Sequence, residues 1–168
     1  MIQPLDSPFK LFFVVGMLAS MVSGCGGVVQ PDGLPELHPF ELSVSQGGTP
    51  VEGVSVQLVP EDRANSRWAC GGATDAEGKV VVKTLGKFEG APAGNYKVTF
   101  YKAIVEDMSP GVSADDPSAS KVYDSYLLVD PKFGSIATTP VEVSIAGGET
   151  TVPPIELGSA VRIKQKNM

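Results

Sequence analysis

Histidine and cysteine are nearly missing from this chain. There is one His, at position 38, and there are two Cys, at 25 and 70, in 168 residues. A Ser-His-Asp or Cys-His mechanism would have to run through His38, and a zinc site needs three or four Cys, His or carboxylate ligands. With so few bases and ligands we expect a non-enzymatic protein with no metal and no cofactor, and His38 reads as a solvated linker residue. Basic charge is also short, with 13 Lys and Arg against 19 Asp and Glu and a net −6. Nucleic-acid binding needs Lys and Arg to displace phosphate counterions, so no nucleic-acid partner is expected. The one basic cluster, Arg162, Lys164 and Lys166, lies in a tail (159–168) that reads as solvated and frayed. Aromatic residues make up 7 %, with a single Trp. Trp68, Tyr101, Tyr123 and Tyr126 are the supply for a sugar-stacking platform, but such residues more often serve as core or edge cover. The acids Glu106, Asp107, Asp115 and Asp116 lack the alternate spacing of a calcium loop and read as a solvated loop.

Long apolar runs are scarce too, and one stands out, from Leu11 to Val22. A bilayer-spanning helix needs roughly 20 apolar residues, and a signal-peptide core needs about 7–15. Lys10 precedes the run, and Ser23, Gly24 and Cys25 close it. Small side chains leave the backbone open to a peptidase, and the Cys25 thiol is a suitable nucleophile for taking a lipid. Gly26, Gly27 and the prolines beyond them would leave a helix nothing to pack against.

On these residues the segment resembles a bacterial lipoprotein signal peptide, with Val22-Ser23-Gly24-Cys25 as its lipobox. Val22 stands where that family usually has Leu. The resemblance implies removal of residues 1–24 and a diacylglyceryl thioether on Cys25, with palmitate-type chains. Several chains together hold effectively permanently, whereas one alone holds reversibly. The implied partner is the membrane, reached through the N-terminal lipid. Gly26, rather than Asp, after the cysteine favours the outer membrane, on its periplasmic or surface face. The chain left after cleavage has 144 residues (168 − 24), which suits one domain. Cys70 then has no internal disulfide partner. It is either a small buried apolar residue or a link to a second chain.

Residues 25–37 are rich in Gly and Pro and read as a flexible tether. From His38 onward, short alternating apolar runs are divided by turn signals, the pattern of an all-β sandwich. Strands are expected at 40–45, 54–58, near 68–74, at 79–85 as one strand, at 97–101, 141–145 and 155–157. Turns are expected at Gly47-Gly48 and at Asp75-Ala76-Glu77-Gly78, with Gly78 suited to positive φ. Residues 104 to about 125 read as a long exposed insertion. No amphipathic helix is expected after Cys25.

Ala93-Gly94-Asn95-Tyr96-Lys97-Val98 has the form of a tyrosine corner, in which Tyr96 bonds backbone a few residues upstream and Gly94 permits close approach. With Pro50-Val51-Glu52-Gly53-Val54-Ser55-Val56, Thr74-Asp75-Ala76-Glu77-Gly78 and Ala91-Pro92-Ala93-Gly94-Asn95-Tyr96, the chain resembles the carboxypeptidase regulatory-like domain, a transthyretin-like sandwich. Val54 and Val80 depart from that family's Ala and aromatic but stay apolar. The match covers about residues 40–101. The remainder resembles small exported lipoproteins of Planctomycetes. Transthyretin-like hydrolases of purine-derived rings need several His and a C-terminal Tyr-Arg-Gly-Ser, and this chain ends Gln165-Lys166-Asn167-Met168. The resemblance implies a prealbumin-like (Ig-like) Greek-key sandwich of about seven strands over 38–158. It also implies a structural or interaction module meeting another envelope protein. The alternative is a glycan- or peptide-binding accessory of an uptake complex.

Overall fold

The computed structural model describes residues 29–109, 111, 120–147 and 152–165. These are mostly β, and among the described residues the only helical pieces are two 3₁₀ turns, Arg63–Asn65 and Pro131–Gly134. Along the chain, β1 (Leu37–His38) leads to β2 (Glu41–Gln46), β3 (Thr49–Pro50) and β4 (Ser55–Pro60). Short strands follow: β5 (Cys70–Ala73), β6 (Lys79–Val81), β7 (Lys83–Thr84), β8 (Phe88–Glu89) and β9 (Ala91–Pro92). Then come β10 (Gly94–Tyr101), β11 (Ala103–Asp107) and β12 (Tyr123–Leu127). The last are β13 (Glu142–Ile145), β14 (Ile155–Glu156) and β15 (Ile163–Lys164).

Two sheets share one core. The larger is antiparallel, in the order β13-β10-β4-β5-β7-β8. The other is built on β2, with β14 parallel beside it and β3 and β6 antiparallel to it. Alternation sends every second side chain of a strand to the same face. Phe40, Leu42 and Val44 therefore meet Val56, Leu58, Val98 and Phe100 in a single buried cluster. Each such side chain contributes about 1.5–3 kcal/mol through burial. The arrangement is consistent with an all-β sandwich.

The Thr74-Asp75 turn shows how the local motif works. The Thr74 hydroxyl donates to the Val51 carbonyl at 2.6 Å and accepts from the Val54 amide at 2.9 Å. Asp75 accepts from the Glu77 and Lys79 amides, which closes its own turn. Gly78 has φ +73°, and a Cβ there would lie 2.5 Å from the Val44 carbonyl oxygen. Glycine is required at that position on both counts.

In four places the fold differs from the sequence-based expectation. Residues 79–85 are not one strand: β6 pairs with β2, whereas β7 pairs with β5. The chain changes sheets at Val82, whose amide donates to Phe40 and whose carbonyl accepts from Gly90. Both sheets claim the segment because Val80 and Val82 are both buried. The stretch 104–125 is not all loop, since β11 and β12 pair over its two ends. Residues 25–37 are not wholly free either. Leu37 pairs with Pro92, and Arg67 donates to the Gly33 carbonyl at 2.9 Å. Nor is the tail frayed as far as Gln165, because β15 pairs with β12.

Candidate interaction surface

A three-stranded arm, ordered β11-β12-β15, continues the chain on from β10 outside the two core sheets. Its root is held by Gln46 donating to the Leu128 carbonyl at 3.0 Å and Lys102 donating to the Glu52 carbonyl at 2.6 Å. Cross-strand pairs sort its two faces. Glu106 lies opposite Asp124, and Tyr126 opposite Lys164, so these share one face. Val105, Tyr123 and Ile163 lie on the other face and are exposed.

The first face is a chain of charge pairs. Asp124 is buried, and its carboxylate accepts from Lys164 at 2.6 Å and from the Tyr126 hydroxyl at 3.3 Å. Arg162 pairs with Glu106 and lies 4.3 Å above the Tyr126 ring. The hydrogen bond to Asp124 raises the Lys164 pKa, and the bond to Glu106 raises that of Arg162. The basic cluster expected in a solvated tail is thus, at Arg162 and Lys164, used inside the protein. Sequence reasoning missed this site. The available signal was alternation in Val161-Arg162-Ile163-Lys164, which places two bases on one face of a strand, the face that here carries the acids of 106 and 124.

At the arm's root is an apolar cleft of about 210 Å³, lined by Phe100, Tyr101, Leu127, Val129 and Pro131 among others. Small-molecule sites run to about 300–1,000 Å³, so this one suits a single side chain of a partner. Phe133 meets Phe100 edge-on at 6.1 Å beneath it.

Other singled-out residues lie apart. The Tyr96 ring is buried, and its hydroxyl donates to the Pro92 carbonyl, four residues upstream, at 2.7 Å. Burial, and then the neighbouring Cys70, push its pKa far above the usual tyrosine value. Gly94 has φ +155°, and a Cβ there would meet Tyr96 at 3.7 Å, an ordinary contact. Cys70 is a free, buried thiol whose pKa is raised by burial and partly lowered by Thr84. Its Sγ lies 3.2 Å from the Trp68 carbonyl and 3.4 Å from the Thr84 hydroxyl. His38 is in β1, opposite Ala91.

The four aromatics do not form one platform. Trp68 is buried under Arg67, 4.4 Å above its ring. Cys70, two residues on, faces Leu58, while Tyr101 faces Ser55 at the other end of β4. Tyr126 is covered by Arg162, and Tyr123 sits at the far end of the arm. Asp107 pairs with Lys121 at 3.4 Å. Among the described residues no three His, Cys, Asp or Glu side chains converge to hold a metal ion. Val22, Ser23, Gly24, Cys25, Asp115 and Asp116 lie outside the described residues. Comparison with family models, curated proteins and solved structures finds no match.

Proposed function

We propose that this is a non-enzymatic, lipid-anchored protein of the bacterial cell envelope, held through Cys25. In this reading its domain is a prealbumin-like Greek-key sandwich of the carboxypeptidase regulatory-like kind, acting as a structural or interaction module. The carrying observation is the run from Lys10 to Cys25: a cation, an apolar core of signal-peptide length, two small residues and a cysteine. The arm, with exposed Val105, Tyr123 and Ile163 on one face and a side-chain-sized cleft at its root, supports an interaction role with another envelope protein. Outer-membrane placement is part of the proposal and rests on Gly26. The test is Cys25→Ser expressed in a lipoprotein-processing host. The variant should leave the membrane fraction and lose radiolabelled palmitate. Equal membrane retention would overturn the reading.

A further inference from the structure

We propose that the turn between β7 and β8 rests on the bilayer that holds the lipid, with the Leu85 side chain dipping into its interface. This deepens the anchoring reading and rests on it. In the turn, Lys87 donates its amide to the Thr84 carbonyl, and the two central residues, Leu85 and Gly86, have φ +54° and +68°. Positive φ at both centres is the type I′ pattern, which favours Asn-Gly or Asp-Gly. Among the described residues Leu85 is the only non-glycine with positive φ. Its amide is fixed to the Ala69 carbonyl at 2.7 Å, so the strained backbone is held by the neighbouring chain. The residue is 38 % exposed. A leucine here carries left-handed strain, leaves 38 % of its surface exposed, and is not among the side chains packed against the main buried cluster. An outlier of this kind points to a role outside the domain.

The course of the chain identifies that role. Val29, which is 90 % exposed, and Pro31 border the same shallow hollow as Leu85, Lys87 and Phe88. Only four residue steps separate Val29 from Cys25, a reach of roughly 14 Å at full extension. Gly33, the first of the residues fastened to the domain, is eight steps from Cys25, so an anchor there keeps this end of the sandwich within roughly 28 Å of the lipid. Electrostatics does not drive the contact. Lys83 is opposite Glu89, and Lys87 shares a hollow with Glu36 and Glu89. The attraction is apolar and should persist at high salt.

The lipidated full chain, carrying Leu85→Cys labelled with an environment-sensitive fluorophore, is reconstituted in phosphatidylethanolamine/phosphatidylglycerol vesicles. Apolar side chains of interfacial proteins reach about 5–10 Å into the headgroup boundary, so nitroxide lipids labelled near the headgroup serve as quenchers. Most of the emission at 85 should be lost, in low and high salt alike. A label at Val105→Cys, out on the arm, should be spared. The native Cys70 is buried and free, so thiol labelling is directed to the introduced cysteine. As a label-free check, amide exchange over 85–88 should slow on vesicles relative to soluble Cys25→Ser. Vesicle-bound protein with no quenching at 85 and no slowing overturns the proposal while leaving the anchor intact. Protein that carries no lipid and does not sediment with vesicles overturns both.

Discussion

Replacing Tyr96 by Phe tests the joint that closes the sandwich. The ring is 1 % exposed, and its hydroxyl makes one hydrogen bond, 2.7 Å to the buried Pro92 carbonyl. Phe keeps the ring and its packing and removes only that bond. A buried bond contributes about 0.5–1.5 kcal/mol net, and a poorly satisfied carbonyl adds to the loss, so about 1–2 kcal/mol is expected. For a domain of this size the melting midpoint should fall by roughly 4–7 °C. Urea unfolding followed by Trp68 fluorescence should show a lower midpoint with an unchanged slope. Tyr96→Leu, which also loses ring packing, should cost clearly more. The pH dependence has a definite sign. Burial raises the folded pKa of Tyr96, so the neutral hydroxyl is favoured in the folded state. Its contribution is complete below the unfolded value of about 10 and is lost as pH rises beyond it. The parent should therefore lose more stability than Tyr96→Phe between neutral pH and strong base. A Phe variant within experimental error of the parent at neutral pH would refute the corner's structural role.

Three further outcomes are expected. Glu156 accepts from the Ser45 hydroxyl at 2.8 Å and from the Gly47 and Gly48 amides, and the Ser45 bond leads in lowering its pKa. A depressed carboxylate stabilises above the unfolded value of about 4.3 and stops doing so as pH falls through the folded one. Acid titration of stability should therefore be flatter in Glu156→Gln, and identical acid limbs would refute this. Asp124→Ala strips Lys164 and Tyr126 of their shared acceptor. Amide exchange over 123–127 should accelerate with little change in the global midpoint, and unchanged exchange would remove the pair as the arm's fastening. Leu85→Asn should stabilise the fold by about 0.5–1.5 kcal/mol, because Asn tolerates the left-handed region that costs a leucine. A drop in chemical midpoint would show that the leucine is held there by contacts within the domain.

The larger strands were legible because each carries its own period. Phe40, Leu42 and Val44, and Val54, Val56 and Leu58, alternate and are buried as alternation requires. The turn at Asp75–Gly78 was legible because its side-chain bonds span at most four residues. The break at Val82 was not, because a run of three valines satisfies either sheet and only the positions of Phe40 and Gly90 divide it. The arm was hidden for a related reason. The 40 residues from Asp124 to Lys164 separate the partners of its main charge pair.

Sequence alone determined the leader-like run ending at Cys25, the all-β character, the alternation that builds the core, and the shortage of catalytic and metal-binding side chains. These are properties of single residues and near neighbours. Tertiary structure alone decided that Arg162 and Lys164 are bound to acids, that Gly33, Leu37 and His38 are fastened to the sandwich, and that Leu85 borders one hollow with Val29 and Pro31. Those outcomes depend on which distant strands meet. Antiparallel pairing across tens of residues is set by the packing of the whole core and not by any local preference.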